Sequence, residues 1–137
     1  MRTILFRGKS KVNVNYLGED EPLVKIGEWV YGSLILDNVD NHHIHTLTRR
    51  GWEFVNVEIE SIGQFIGMLD ADGKGIYEGD IIQGNNQWIR HMIEYNEEDA
   101  SFCARKPDDH CPIYKWWIDK YEKKVIGNIH DNPELIK

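Results

Sequence analysis

The sequence contains no long apolar run, and this absence excludes a membrane-spanning helix, which needs about 20 consecutive apolar residues. The opening segment MRTILFRGKS carries few apolar residues before Arg7, fewer than the apolar core of a secretory signal requires. Because neither kind of segment is visible, we expect a cytoplasmic protein that makes no membrane contact.

Positive charge is also scarce. The chain has 16 Lys and Arg against 23 Asp and Glu, which gives a formal net charge of −7. A protein that coats DNA without sequence preference derives its affinity from Lys and Arg that neutralise phosphates. The composition therefore argues against a general DNA coat, although it leaves room for a local basic patch.

The chain has only two cysteines, Cys103 and Cys111, which is too few for the disulfide framework of a small secreted domain. They flank the segment ARKPDDH, whose composition suits a hairpin loop that brings them together. In a reducing compartment we expect two free thiols.

Helical periodicity is missing over most of the 137 residues, a length that suits one domain or a small domain with an appendage. The segment from Trp52 to Glu60 instead alternates, with Val55, Val57 and Ile59 on one face, as in a half-exposed antiparallel strand. Similar composition marks TILFRG, EWVYGSLIL, GDIIQ, QWIRHMIEY, ASFCAR, IYKWWIDKY and VIGNIH. Many short strands between turns predict a mostly β, antiparallel protein built as a small barrel or roll.

Loops and boundaries follow from turn residues. The stretch 16–25 is predicted to be a loop and Asp37-Asn38 a turn. The stretch 39–51 is a second weak spot in the strand pattern, and a domain boundary is expected there. The tail DNPELIK is the only helical candidate, a single turn in which Pro133 suits the first position.

The segment GQFIGMLDADGKGIYEGDII, residues 63–82, superficially resembles a calcium loop. An EF-hand that begins at Asp70 would place Lys74 at the fifth position and Ile81 at the twelfth, where carboxylate or amide oxygens are needed. A hairpin explains the residues better, with a turn over 70–73 in which Gly73 takes a positive φ, and a second bend over 78–80. We therefore expect no metal here.

This segment also resembles the signature of the YopX-type phage protein family, a Gly-Gln-aromatic-x-Gly-Leu run before an Asp-x-x-Gly-Lys turn and an Ile-Tyr-Glu-Gly-Asp-Ile run. The opening MRTILFRGK, the block GEWVYGSLI at 27–35 and the closing VIGNIHDNPELI at 125–136 are similar to the family as well. The one departure is Met68 in place of Leu, a swap that conserves volume. The matching residues are Gly63, Gln64, Phe65, Gly67, Asp70, Gly73, Lys74, Ile76, Tyr77, Glu78, Gly79, Asp80 and Ile81.

The resemblance implies a phage or prophage origin and a bacterial host cytoplasm. It further implies an N-terminal β segment, residues 1–50, packed on an SH3-like small barrel, residues 51–137. The family brings no established activity, so no catalytic residue is carried over. We assign a structural role to the motif residues Gly63, Gln64, Gly67, Gly73, Tyr77, Glu78, Gly79 and Asp80.

Enzyme signatures are missing as well. The sequence has no phosphate-binding Walker loop and no dinucleotide fingerprint, and no set of acid, base and nucleophile can be named. We therefore expect neither catalysis nor a cofactor. His43 and His45 would share a strand face and could both ligate a metal. A third ligand would have to come from elsewhere, such as His91, His110 or Cys111, and nothing in the spacing demands one. Surface histidines and no metal site are the favoured interpretation.

The strip Ile113–Lys124 interleaves aromatic and basic residues. If it is a strand, Trp116 and Trp117 point to opposite faces, and one of them can be exposed. Such a strip can stack bases and hold phosphates, or it can contact a peptide or another subunit. The favoured interpretation is nevertheless that both tryptophans belong to the core and that the lysines are ordinary surface residues. The candidate binding residues are Tyr114, Lys115, Trp116, Trp117, Lys120 and Tyr121.

Three functions stay open at this stage. The favoured one is a non-enzymatic binding or assembly module that forms homo-oligomers or contacts a host or phage protein. The second is a small barrel that binds single-stranded nucleic acid, which the net charge does not favour. The third is an acidic DNA mimic that occupies a host DNA-binding protein.

Overall fold

The computed structural model describes residues 1–37 and 41–136. The strands are β1 (Phe6–Lys9), β2 (Trp29–Leu36), β3 (His42–Thr48), β4 (Gly51–Val57), β5 (Gly63–Leu69), β6 (Gly75–Tyr77), β7 (Asp80–Gln83), β8 (Arg90–Asn96), β9 (Ser101–Lys106), β10 (Asp109–Pro112) and β11 (Lys124–Asn128). The α-helix α1 covers Lys115–Lys120, and 3-10 turns cover Ile59–Ser61 and Pro133–Ile136. Among these residues, no helix has both the length and the apolar character needed to cross a membrane.

Two compact units make up the chain, Met1–Gln64 and Phe65–Lys137, here called the N-terminal and C-terminal units. The units divide after Gln64, and the expected domains, residues 1–50 and 51–137, stay a prediction. The weak spot at 39–51 contains a strand that the sequence analysis did not predict, because His42–Thr48 forms β3, an inner strand paired on both sides. Asn38, Val39 and Asp40, with the second half of the predicted Asp37-Asn38 turn, lie outside the described residues.

In the N-terminal unit the strands follow the order β4-β3-β2-β1, each pair antiparallel, and the first residues of β5 pair with β1. Alternation places one face of each strand inward, and the core contains Val24, Val30, Ile44, Val55 and Val57. The predicted alternation of Val55 and Val57 is confirmed. It fails at Ile59, which is 39% exposed because β4 ends at Val57 and a 3-10 turn follows.

Close approach of two strands requires glycine at one position of β2. A Cβ added to Gly32 would lie 1.9 Å from the carbonyl oxygen of His45 on β3. Any larger residue would therefore separate β2 from β3, which pair in this register from Ser33 to Leu36.

The sheet of the C-terminal unit has the order β10-β9-β8-β7-β11, again antiparallel. Its core contains Ile76, Ile82, Ile93, Ala104, Ile113 and Ile118. The mostly β, antiparallel prediction is confirmed, but the strands of the described residues do not close into a barrel. The SH3-like class stays a prediction.

The segment predicted as the strand IYKWWIDKY contains the helix α1, so this prediction is wrong. Lys115 and Asp119, one helical turn apart, form an ion pair at 2.8 Å, and Ile118 is buried in the core. The helix begins after Tyr114 without a side-chain cap. The predicted helical turn in the tail is confirmed at Pro133–Ile136.

The hairpin predicted within residues 63–82 is confirmed. The carboxylate of Asp70 accepts hydrogen bonds from the backbone N–H groups of Asp72 at 2.8 Å, Lys74 at 2.9 Å and Val125 at 2.9 Å. Gly73 has a φ of +84°, the positive value that the turn requires. Asp70 therefore serves as the anchor of a turn.

Candidate functional site

A cavity of about 430 Å³ opens in the C-terminal unit. Its wall comes from the segment before β8, from β8 itself, from the hairpin β9–β10, from α1 and from the residue just before β11. The residues that matter for its chemistry are His91, Lys106, Cys111, Trp117, Tyr121 and Lys123.

Lys123 is the unusual charge in this cavity, because its side chain is only 6% exposed. Its ammonium nitrogen lies 4.6 Å from the ring centre of Trp117 and 6.0 Å from that of Tyr121. No carboxylate within residues 1–37 and 41–136 forms an ion pair with it. Burial lowers the pKa of Lys123, and the charge of Lys106 lowers it further, whereas Cys111 opposes the shift.

His91 is the second buried polar group, at 5% exposure. Its ring packs edge-on against Trp117 with 5.2 Å between the centres. The buried Nδ1 atom has no hydrogen-bond partner in the described part of the chain. Burial lowers the pKa of His91 to about 4, helped by the charges of Lys123 and Lys106 and opposed by Asp109, so the imidazole is neutral at pH 7.

Burial of the Lys123 ammonium group and of the His91 ring costs free energy of folding. An unpaired ammonium and an unsatisfied imidazole nitrogen each lose hydration without a full replacement. The aromatic faces around Lys123 replace part of that hydration by a cation–π interaction. An anion in the cavity would pair with Lys123 and offer an acceptor or donor to His91.

The residues predicted from the aromatic and basic strip divide into two groups. Trp116, Trp117 and Tyr121 line the cavity. Trp116 is 59% exposed, whereas Trp117 is half-buried and packs on the core. The favoured interpretation that both tryptophans belong to the core is therefore wrong, and one of them is exposed although the segment is a helix instead of a strand. Single-residue steps on a helix turn by about 100°, which also separates neighbours.

The remaining strip residues lie outside the cavity wall. Tyr114 stacks on Trp116 with 6.0 Å between ring centres. Lys115 bonds Asp119 and reaches the carbonyl oxygen of Leu69 at 3.3 Å, and Lys120 lies 5.5 Å from the ring centre of Tyr121. Tyr114 and Lys120 therefore contact residues that line the cavity, whereas Lys115 contacts residues outside its wall.

Sequence reasoning did not associate His91 or Lys106 with the aromatic and basic strip, although both reach the same cavity from β8 and β9. Both residues are far from Lys123 along the chain, so the sequence does not indicate that they line one cavity with it. The available signal was local, since β8 alternates and places His91 on the same side as Ile93, a core residue.

The two cysteines occupy the hairpin that the sequence predicts. Cys103 pairs with Pro112 and Cys111 with Ala104, so the two thiols are on neighbouring register positions and point to opposite faces. Both are free. Burial raises the pKa of Cys111, which lines the cavity, and Asp109 raises it further.

The histidine pair at 43 and 45 shares one face of β3, as predicted. The ring of His45 stacks on the rings of both Trp52 and Phe54, with ring centres at 4.8 Å and 4.5 Å. In this arrangement His45 contributes to an aromatic surface of the N-terminal unit.

The motif residues shape turns. Tyr77 is buried against Phe65 and donates its backbone N–H to the Asp80 carboxylate at 2.8 Å. Gly79 donates to the carbonyl oxygen of Ile93, and its own carbonyl accepts from Ile129, both at 2.8 Å. Glu78 is half-buried in the same turn.

The other motif residues belong to β5. Gly63 pairs with Arg7 and Gln64 with Phe6 on β1, and Gly67 lies where the pairing of β5 with β6 shifts its register. The structural role inferred for the motif residues from the sequence stays a prediction.

The fold and cavity together define a small, mostly β protein with an aromatic-walled cavity that contains a buried lysine and a buried histidine. The family model described as YopX protein matches residues 5–137, and the chain therefore belongs to the YopX family. No curated protein matches the sequence.

Proposed function

We propose that the chain is a non-enzymatic binding module and that the cavity of the C-terminal unit holds an anionic group. One observation carries this proposal: Lys123 is buried in the cavity wall and has no carboxylate partner among the described residues. A buried charge normally has a partner, and here a ligand is the natural one.

Binding is favoured over catalysis by the state of the neighbouring groups. Cys111 has a raised pKa, so it is a thiol at neutral pH and a poor nucleophile. His91 is neutral, with a pKa of about 4, which makes it a weak base near pH 7. Together with Lys123 these groups favour holding an anion over transferring a proton or forming a covalent intermediate.

The experiment is a titration with inorganic phosphate and acetate, followed by intrinsic tryptophan fluorescence because Trp116 and Trp117 line the cavity. Lys123→Met should abolish the response. Lys124→Met is the matched control, since the neighbouring lysine is exposed and pairs with Asp72 at 3.5 Å. An equal response in the wild type and in Lys123→Met would contradict the proposal.

We further propose that the C-terminal unit is an SH3-like fold and that the protein acts in the cytoplasm of a phage-infected or prophage-carrying bacterium. The first point is supported by the path of the chain, in which four antiparallel strands are followed by a helical turn and by β11, which returns to pair with β7. The second is supported by the family resemblance.

Self-association is a second proposed activity, supported by the outward face of the N-terminal sheet. Opposite the core face, the strands present large apolar side chains that are 41% to 64% exposed: Tyr31, Ile35, Leu47, Trp52 and Phe54. A second copy of the chain would supply a matching apolar face.

Light scattering after size exclusion over a range of concentrations tests this second proposal. Trp52→Ser should shift the mass toward the monomer. Trp88→Ser is the control, since Trp88 is 87% exposed in the C-terminal unit. A monomer mass at every concentration would contradict self-association.

A further inference from the structure

We propose that the ligand of the cavity is a nucleoside phosphate, either free or at the end of a single strand of nucleic acid. This inference rests on the proposed anion site and adds the chemical class of what the site holds. It is argued from the distribution of charge, aromatic surface and volume around Lys123.

Charge favours a phosphate. Two cationic side chains, Lys106 and Lys123, line the cavity and lower the pKa of His91 through their positive charge. Neither forms an ion pair within the described ranges 1–37 and 41–136. One carboxylate, that of Asp109, also lines the wall. A phosphate monoester carries between one and two negative charges at neutral pH and can use both ammonium groups, whereas a carboxylate carries one.

Aromatic surface favours a planar ring beside the phosphate. Trp116 and Tyr121 line the cavity and are 59% and 40% exposed, so part of each ring remains accessible. Tyr114 stacks on Trp116 with an angle of 16° between the rings and holds it in place. Accessible aromatic rings beside lysines stack nucleobases without regard to sequence.

Amide groups complete the match to a nucleobase. Asn85 and Asn86 line the same cavity, and amide side chains can both donate to and accept from a base edge. The Asn86 side-chain oxygen already accepts from the backbone of Trp88 at 3.0 Å. The Asn85 side chain makes no hydrogen bond among the described residues.

Volume limits the ligand to one nucleotide unit. A cavity of about 430 Å³ falls in the range of small-molecule sites, roughly 300 to 1,000 Å³. A groove that tracks a nucleic acid backbone needs a continuous positive surface, and a net charge of −7 opposes it. The net charge opposes the binding of a single terminal phosphate less strongly, because Lys106 and Lys123 are positive charges close to the site.

Calorimetric titration of the full chain tests the inference with matched ligands. The ligands are adenosine monophosphate, adenosine, inorganic phosphate, and one short single-stranded oligonucleotide with and without a 5′-phosphate. We expect the nucleotide to bind on the order of tenfold more tightly than either adenosine or inorganic phosphate, because only it engages both the rings and the lysines. A phosphorylated oligonucleotide that binds equally well identifies a strand end as the source, and one that does not bind identifies the free nucleotide.

Variants separate the two parts of the site. Lys123→Met should weaken nucleotide binding on the order of tenfold or more, and Lys124→Met should leave it unchanged. Trp116→Ala should weaken it on the order of tenfold, whereas Trp88→Ala, at an exposed tryptophan outside this cavity, should not. Thermal melting confirms that each variant is folded.

The outcomes distinguish the nucleotide inference from the proposed anion site on which it rests. Phosphate that binds as tightly as the nucleotide, with no effect of Trp116→Ala, would overturn the nucleotide inference and leave the anion site in place. Binding of none of these anions to the wild type would overturn both.

Discussion

The ammonium group of Lys123 lies 4.6 Å from the centre of the Trp117 ring, inside the C-terminal unit. An aromatic face is a weaker partner for a cation than a carboxylate, and no carboxylate of the described residues pairs with Lys123. Lys123 therefore carries a charge that lowers the stability of the fold and that an anionic ligand would neutralise.

Removal of that charge should stabilise the protein. Lys123→Met keeps the length of the side chain and removes the buried ammonium group, whose pKa is lowered by burial. We expect the free energy of unfolding to rise by about 1 kcal/mol in urea titrations at pH 7. A variant that is clearly less stable than the wild type would mean that Lys123 acts mainly through its contacts with Trp117.

His91 should make stability depend on pH in the mildly acidic range. The unfolded chain takes up this proton near pH 6.5 and the native chain near pH 4, so between these values the unfolded state binds more protons. Stability should therefore fall as the pH drops from about 7 to about 4, by ~3 kcal/mol from this residue. The comparison of urea unfolding for wild type and His91→Gln isolates the contribution, since Lys123, Lys106 and Asp109 are present in both. His110→Gln, at an exposed histidine, should keep the wild-type dependence.

Asp70 should be important for the stability of the hairpin between β5 and β6. Burial raises the pKa of its carboxyl group, but hydrogen bonds from the N–H groups of Val125, Lys74 and Asp72 outweigh burial and leave the pKa below its ordinary value. Asp70→Asn replaces an accepting oxygen by a donor and should destabilise by about 1 to 3 kcal/mol. Asp72→Asn, which loses only an exposed ion pair with Lys124, should change stability by less than about 1 kcal/mol. Equal effects of the two changes in denaturant titrations would contradict the anchoring role.

Gly32→Ala should disrupt the N-terminal unit. The new methyl group would lie 1.9 Å from the carbonyl oxygen of His45, so β2 and β3 would have to separate. We expect a loss of about 4 kcal/mol or more, measured by chemical denaturation, with weaker hydrogen-exchange protection along β3. Ser33→Ala, at the next and exposed position of β2, should change stability by about 0.5 kcal/mol or less.

The parts of the fold that the sequence predicted correctly depend on local chemistry. The turn at residues 70–73 is determined by an Asp that accepts backbone bonds and by a Gly that takes a positive φ, both visible in the letters. The alternation of Val55 and Val57 similarly identifies the buried face of β4. Neither prediction requires knowledge of distant residues.

The errors arise where distant packing overrides local preference. The aromatic and β-branched segment at 113–121 favours a strand by composition, yet burial of Ile113 before α1 and of Ile118 within it, in one core, stabilises the helix. His42–Thr48, rich in His and Thr, looks like a loop until β2 and β4 pair with it on both sides. The cavity is even harder to predict from local sequence, because His91 and Lys123 meet only after β8, α1 and β11 have assembled.

The hydrogen bond from the Val125 N–H to the Asp70 carboxylate joins residues 55 positions apart, and this separation affects folding during synthesis. Ribosomes add residues from the N-terminus, so the turn at Asp70 and the free edge of β7 emerge well before β11 exists to satisfy them. Until then β7 presents an unpaired edge on which other nascent chains can pair. Synthesis rate and chaperone access over this interval should therefore influence how much correctly folded protein a cell obtains.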